Sequence, residues 1–359
     1  PDTLLGTLVT AYSLMVGLFA IISGPISDRF GRRRILIMGT GIMTVALVCH
    51  YLGVDYFSFL AVRVFAGMAG GLLSGAAVSF FGDYFHFSRR GWAVVWVMSG
   101  SAFGQIAGIP LGVALAEGWG FRAPFFLFAL TMAFTFILIW LKLPQPPIRT
   151  REGRLTVKGA ISDYWAMLKK REIAAAAVAF FLMFLGVSIY VVYFPTWLER
   201  SLGFSAYQVA ALFFVGGIAN VLAGPQAGKL SDRIGRKLIV LLSCLGLFVV
   251  MLATTVIVKN IWLAFPVFFL TMVLVAMRIS PFSALLTALV PDENRGSLMS
   301  LTVALGQVGF GLGGALAGPF YSSLGYGSNT IIGAISVLGM GLLVWFMVPE
   351  PEVRESAGA

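Results

Sequence analysis

Uncharged apolar stretches of about twenty residues recur along the whole chain, broken by short polar, glycine-rich or basic intervals. Eleven of them run over 3–24, 35–54, 57–81, 91–116, 123–141, 173–194, 205–227, 238–258, 261–289, 296–320 and 329–348. Each is long enough for a helix to cross a hydrocarbon core of about 30 Å, which takes roughly 20 residues. Within them only Arg63 and Arg278 carry a formal charge. The pattern predicts an all-α membrane protein with eleven spans.

Composition excludes a soluble reading. Of 359 residues, 59% are hydrophobic and 11% charged, against about 25% charged in ordinary soluble domains. A bilayer removes the need for the polar surface that such a chain cannot build. The formal charge of +10 does not indicate nucleic acid, because the cations sit in short clusters between apolar runs and not on one solvated face. Sorted by alternate loops, 20 of the 25 Lys and Arg fall on one side, and only Arg122, Arg200 and Lys259 on the other. Positive-inside bias makes the first side cytoplasmic and puts the C-terminal tail there, in a multi-pass protein of the plasma or inner membrane. The two cysteines, Cys49 and Cys244, lie far apart in apolar runs with no ligand spacing around them, so neither a disulfide scaffold, a metal site nor a cofactor is expected.

The stretch 142–172, with PQPP at 144–147 and eight basic residues, interrupts the apolar pattern and reads as a cytoplasmic linker. It divides the chain into an N-terminal bundle (1–141, five spans), the linker (142–172), a C-terminal six-helix bundle (173–348) and a short polar tail (349–359). The two halves repeat. Gly24-Pro-Ile-Ser-Asp28-Arg29-Phe-Gly31-Arg32-Arg33 falls on Gly228-Lys-Leu-Ser-Asp232-Arg233-Ile-Gly235-Arg236-Lys237 at a shift of 204, and Arg90-Gly91, Gly104 and Gly108 fall on Arg295-Gly296, Gly309 and Gly313 at 205. Parallel repeats of this kind build transporters that rock about a midplane site. The span 173–194 has no counterpart, so a first helix is expected to be missing from the chain.

The doubled G-x-x-S-D-R-x-G-R-[RK] between spans resembles the signature of the major facilitator superfamily, over the whole length of the chain. The resemblance implies two pseudo-symmetric six-helix bundles that alternately expose one central site, the present spans being helices two to twelve. It implies that Asp28, Arg29, Arg32, Asp232, Arg233 and Arg236 latch the cytoplasmic ends of the bundles. It also matches Arg63, in Phe59-Leu-Ala-Val-Arg63-Val-Phe-Ala-Gly67, to the family's fourth-helix arginine, with Ala66 where the family pattern has Gln. Gly100, Gly104, Gly108, Pro110 and Gly112 give a small-residue stripe with a proline, expected to pack closely and bend. It is similar to the glycine-proline motif of the drug/proton antiporter (arabinose-efflux-like) branch, although Gly108 and Pro110 are not adjacent. Gly67, Gly71 and Gly75 form a second stripe, read as packing.

Further candidates come from the residues themselves. An arginine at bilayer depth costs about 2.5–3.5 kcal/mol on insertion scales and is tolerated beside a partner or a polar interior. Arg278 lies three residues before Pro281, which frees a backbone carbonyl nearby; such a site suits an anion, and structural hydrogen bonding is the equal alternative. Gln105 and Gln307 sit near mid-span, where helix packing can satisfy an amide as well as a ligand can. Tyr190 and Tyr193 are left open between substrate contact and packing, and Trp197 reads as an interfacial aromatic. All fifteen acids lie at span ends or in loops, so no carboxylate is at hand to carry a coupling proton at the midplane, and His50 stands too near a span end for a relay.

The expected function is secondary active transport of a small organic solute, with proton-coupled export leading. An organic-anion transporter using Arg63 and Arg278 is the alternative, and a non-transporting sensor or assembly subunit ranks lower. No nucleotide-binding loop, paired carboxylates or Ser/His/Asp set marks a pump or an enzyme. The partners expected are the small-molecule substrate, protons and the lipid bilayer, with no nucleic acid, and the chain is expected to act as a monomer.

Overall fold

The computed structural model describes residues 4–84, 100, 103–144, 164–291 and 295–350. The side chains of Asp28, Arg29 and Gln105 lie outside the described set, as do the first part of the expected span 91–116, the linker between 145 and 163, and the tail beyond 350. Among the described residues the elements are helices: α1 (Leu5–Phe30), α2 (Arg32–Leu52), α3 (Tyr56–Tyr84), α4 (Ile109–Trp119, entered through a π-helical turn at Gly104–Gly108), α5 (Ala123–Lys142), α6 (Arg171–Val192), α7 (Phe194–Leu202), α8 (Ala206–Ile234), α9 (Arg236–Ile257), α10 (Ile261–Ala288), α11 (Arg295–Leu324) and α12 (Tyr326–Met347). Ten segments, with α6 and α7 taken together, are long and apolar enough to cross a membrane, and Ile106–Trp119 is a shorter apolar helix.

The signature is less of a loop than the polarity pattern predicts. α1 continues through it to Phe30 and α8 to Ile234, and the chain turns on one residue each, Gly31 (φ 91°) and Gly235 (φ 104°). Only glycine adopts these angles without strain. Apolar pattern marks where hydrocarbon ends; a helix can run on through the solvated boundary, because its backbone bonds are internal. The same holds at the far ends of the helices, where Gly120 (φ 88°) and Gly325 (φ 75°) make the turns into α5 and α12. The glycine pairs sit 204 and 205 residues apart, so the sequence repeat is also a repeat of backbone geometry.

Packing repeats in the same order. α1 lies on α3 as α8 lies on α10; α2 packs on α3 and α5 as α9 packs on α10 and α12. Arg33 donates to the Trp140 carbonyl, and at the matching positions the Lys237 ammonium lies 5.5 Å from the Trp345 ring centroid. Between the halves, α1 runs along α11 and α8 meets α4. These two contacts exchange under the repeat, because α1 corresponds to α8 and α4 to α11.

The two glycine stripes behave differently. A Cβ on Gly67 would sit 2.5 Å from the Tyr12 carbonyl oxygen, on Gly71 2.6 Å from that of Val16, and on Gly75 2.7 Å from Ser23 Oγ. The glycines let α3 lie against the α1 backbone, and the Ser23 hydroxyl donates to the Leu72 carbonyl at 2.9 Å across that contact. Lipid gives helices no hydrophobic drive to associate, so close backbone approach and interhelical hydrogen bonds hold such a pair. Gly104, Gly108 and Gly112, by contrast, have no described atom within 4 Å of an added Cβ. The close packing expected of that stripe is not seen among the described residues; what stands just before Pro110 is a π-helical turn.

Candidate functional site

The helices that bring the two halves together are α1 and α11. Starting from the end opposite the signature, Gly6 and Gly314 meet backbone to backbone: a Cβ on Gly6 would overlap the Gly314 carbonyl. One turn deeper the Thr10 hydroxyl donates to the Gly311 carbonyl at 2.6 Å. At mid-depth a Cβ on Gly17 would stand 3.0 Å from the Ala304 carbonyl oxygen and 3.2 Å from Gln307 Cβ. Gly217 and Ile106 make the corresponding contact of α8 with the π-helical turn, at 2.7 Å from an added Cβ to Ile106 Cγ1. A seam of small residues therefore joins the halves over the half of the helices remote from the signature.

Tyr193 belongs to this seam. It ends α6, where the chain re-enters helix through Pro195, and its hydroxyl accepts the Gly6 backbone N–H at 3.3 Å while its ring stacks on Tyr321 at 5.3 Å. Gln307 also faces the seam through its Cβ. Tyr190, one turn earlier, is fully buried inside the second half: its hydroxyl and that of Thr254 are 3.0 Å apart, its carbonyl accepts the Tyr326 hydroxyl at 2.7 Å, and its ring stacks on Phe194. Trp197 is buried there too, stacked on Tyr326 at 4.7 Å.

The arginines are not brought together. Arg63 is half-buried on α3, with Tyr12 of α1 and His50 of α2 in electrostatic reach and its Nε without a hydrogen-bond partner among the described residues. His50 itself is a core residue, its Nδ1 2.8 Å from the Ala46 carbonyl and its ring stacked on Phe125 at 4.9 Å. Arg278, on α10, is fully buried and points toward α9, where the Cys244 thiol is its polar neighbour. Its three nitrogens have no hydrogen-bond partner among the described residues.

At the signature end, Arg236, the first residue of α9, reaches back across the Gly235 turn to Asp232 of α8 at 3.2 Å on the partly exposed surface. An exposed pair of this kind contributes about 0.2–1 kcal/mol. Arg32 bonds the Ser27 hydroxyl, and Arg233 is exposed. Asp28 and Arg29 lie outside the described side chains. A groove of about 440 Å³ opens between α8 and α10, with Lys229, Arg233 and Gln226 on its polar side and Leu230, Val273 and Met277 among its apolar walls.

Sequence reasoning missed the contribution of the tail. Glu350, three residues past the end of α12, accepts the backbone N–H groups of Arg236 (2.5 Å) and Lys237 (3.2 Å), so it caps the start of α9. The signal was present: Pro349-Glu350 falls on Pro144-Gln145 at the same shift of 205. Thr10, Gly311 and Gly314 carried no charge or motif that could have singled them out. Their role appears only when α1 and α11 are placed side by side.

Comparison with known proteins fits this construction. The profile described as Major Facilitator Superfamily matches residues 1–225 and again 176–359, which together cover the chain. The multidrug resistance protein MdtG of Proteus mirabilis (strain HI4320) is 26% identical over 88% of this chain and 78% of its own length. The citrate-proton symporter of Salmonella typhi is 26% identical over 83% of this chain and 73% of its own. Among solved structures, a crystal structure of a D-xylose-proton symporter superposes with a TM-score of 0.81 at 19% identity, covering 97% of this chain and 88% of that one. This multi-pass membrane chain belongs to the Major Facilitator Superfamily, a family of secondary transporters and not of enzymes.

Proposed function

We propose that the chain exports a small organic solute by alternating access, coupled to inward proton movement, with the signature turns and the C-terminal tail in the cytoplasm. The observation that carries this reading is the seam from Gly6 and Gly314 to Gly17 and Ala304. It closes the halves against each other over the remote half of the helices and rests, among the described residues, on backbone contacts and two hydrogen bonds, Thr10 to the Gly311 carbonyl and the Gly6 N–H to the Tyr193 hydroxyl, which a rigid-body swing can make and break without unfolding either side. The side of closure follows from the cations gathered at the signature end, so the seam is the extracellular gate. Relatedness to a multidrug resistance protein supports export. The inner membrane is the proposed location, and a single chain with both halves of the path is the working unit.

A second reading, transport of an organic anion, is supported by the two membrane arginines and by relatedness to a citrate-proton symporter. Arg63 is the better placed of the two for it, being half-buried beside α1. The test is flux in proteoliposomes of the full-length protein, with ethidium and citrate as probes, with and without a pH gradient. Ethidium flux that rises with the gradient supports proton-coupled export. Citrate flux without ethidium flux favours the second reading, and ethidium flux indifferent to the gradient overturns the coupling.

A further inference from the structure

Arg278 stands apart from both the seam and the signature turns. It lies on α10 one turn beyond Leu274, and Leu274 is held against α9: its carbonyl accepts the Ser243 hydroxyl at 2.5 Å, and a Cβ on Gly246 would meet its side chain at 3.0 Å. Arg278 has no exposed surface, and Nε, Nη1 and Nη2 are without hydrogen-bond partners among the described residues. Pro281 lacks the N–H that would bind the Met277 carbonyl, yet the guanidinium does not take that carbonyl either. Its polar neighbour is the buried Cys244 thiol, which is directed at Met340 Sδ, 3.9 Å away.

A guanidinium does not lose its proton in a protein, and a buried charge persists where it is paired or hydrogen-bonded. The guanidinium brings five N–H donors, the sulfur of Cys244 beside it is only a weak acceptor, and no oxygen of the described residues takes any of the five. Donors without an acceptor define a site for an acceptor, and one cation enclosed by apolar helix walls is balanced by a single negative charge of small size. We propose that Arg278, with Cys244 beside it, binds a small monovalent anion within the second half, away from the path between the halves. A halide and a small carboxylate share this chemistry. The site belongs to the helix core of the second half, so it stands whether or not the transport reading does.

The experiment is thermal unfolding of the full chain in detergent, in potassium chloride, bromide, acetate and gluconate at equal ionic strength. Gluconate, too bulky for the site, sets the baseline. Saturable stabilisation by about 5 °C is expected for an anion held well above its dissociation constant, and the Arg278→Gln chain is expected to melt at one temperature in all four salts. Stabilisation by chloride and bromide identifies a halide, and stabilisation by acetate alone identifies a carboxylate. Should Arg278→Gln fail to fold, crystals of the unsubstituted chain soaked in the stabilising salt decide, bromide by its anomalous peak and acetate by its density beside the guanidinium. Equal midpoints of the unsubstituted chain in all four salts, a shift that survives Arg278→Gln, or an unoccupied guanidinium in those crystals would overturn the proposal.

Discussion

Gly6 of α1 and Gly314 of α11 come together with no side chain between them: a Cβ on Gly314 would lie 3.3 Å from the Gly6 carbonyl oxygen, and one on Gly6 would overlap the Gly314 carbonyl. The two halves of the chain thus touch through backbone at the end remote from the signature. Gly314→Leu is expected to hold that end apart. Overpacking of this kind costs about 1–3 kcal/mol, so the closed form should fall by roughly 5- to 150-fold relative to the open one. Spin labels on the remote ends of α1 and α11 check this, and an unchanged distance distribution in the Gly314→Leu chain would contradict it.

The glycine stripes give a contrast within one half. Gly71→Leu must displace Phe19 or the Val16 carbonyl and is expected to destabilise the chain by about 1–3 kcal/mol. Gly108→Ala and Gly112→Ala place a methyl group where no described atom lies within 4 Å. They should leave the melting temperature unchanged or raise it slightly, since alanine favours helix by about 1 kcal/mol over glycine. Melting curves that ranked the three substitutions the other way would show that the second stripe, not the first, carries the packing.

Glu350 holds the start of α9 through two backbone N–H groups. Loss of a helix cap of this type costs about 0.5–2 kcal/mol, so Glu350→Ala should lower the melting temperature by a few degrees while Glu350→Gln, which keeps one accepting oxygen, lowers it less. Equal melting of all three chains would remove the tail from the account of the signature turn.

Asp55 offers a pH dependence outside the spans. Its Oδ1 accepts the Ser58 backbone N–H at 2.7 Å and its backbone N–H donates to the Ser58 hydroxyl at 3.2 Å, so α3 begins on a reciprocal cap. The Ser58 backbone N–H, with help from its hydroxyl, holds the Asp55 carboxyl below the ordinary carboxylate range. A lowered folded value means the ionised form is the stabilising one. Its contribution is complete above the unfolded value of about 4 and disappears as pH falls through the folded value. Asp55→Asn should therefore melt below the unsubstituted chain at pH 7, and the gap should narrow toward zero in acid. A gap that stayed constant would assign the cap to geometry alone.

Much of the fold was legible because lipid allows so few solutions. Twenty-residue apolar runs, the doubled signature and the turning glycines Gly31 and Gly235 fix helices, repeat and connections from local pattern. Helix ends were not legible, because Ser27, Asp232 and their neighbours mark the polar boundary and not the end of the backbone hydrogen bonding. The site was legible in part. Tyr190 and Tyr193 are three residues apart and look alike in sequence; one is sealed in the core of the second half and the other bonds Gly6 across the halves. That difference depends on which helix passes each tyrosine, and no local pattern encodes it. Arg278 was visible as a buried charge, but its direction toward α9 is set by the rotation of α10 against its neighbours.

The most direct test of the central claim locks the seam. A Cβ on Gly311 would lie 3.4 Å from Ser13 Cβ, close to disulfide spacing of about 3.5–4.5 Å, so Ser13→Cys with Gly311→Cys, in a chain whose Cys49 and Cys244 are replaced by Ser, should cross-link on oxidation. Proteoliposome flux is then measured before oxidation, after it and after reduction. Alternating access predicts that flux stops when the seam is locked and returns when it is reduced. Undiminished flux through a fully cross-linked chain would contradict it.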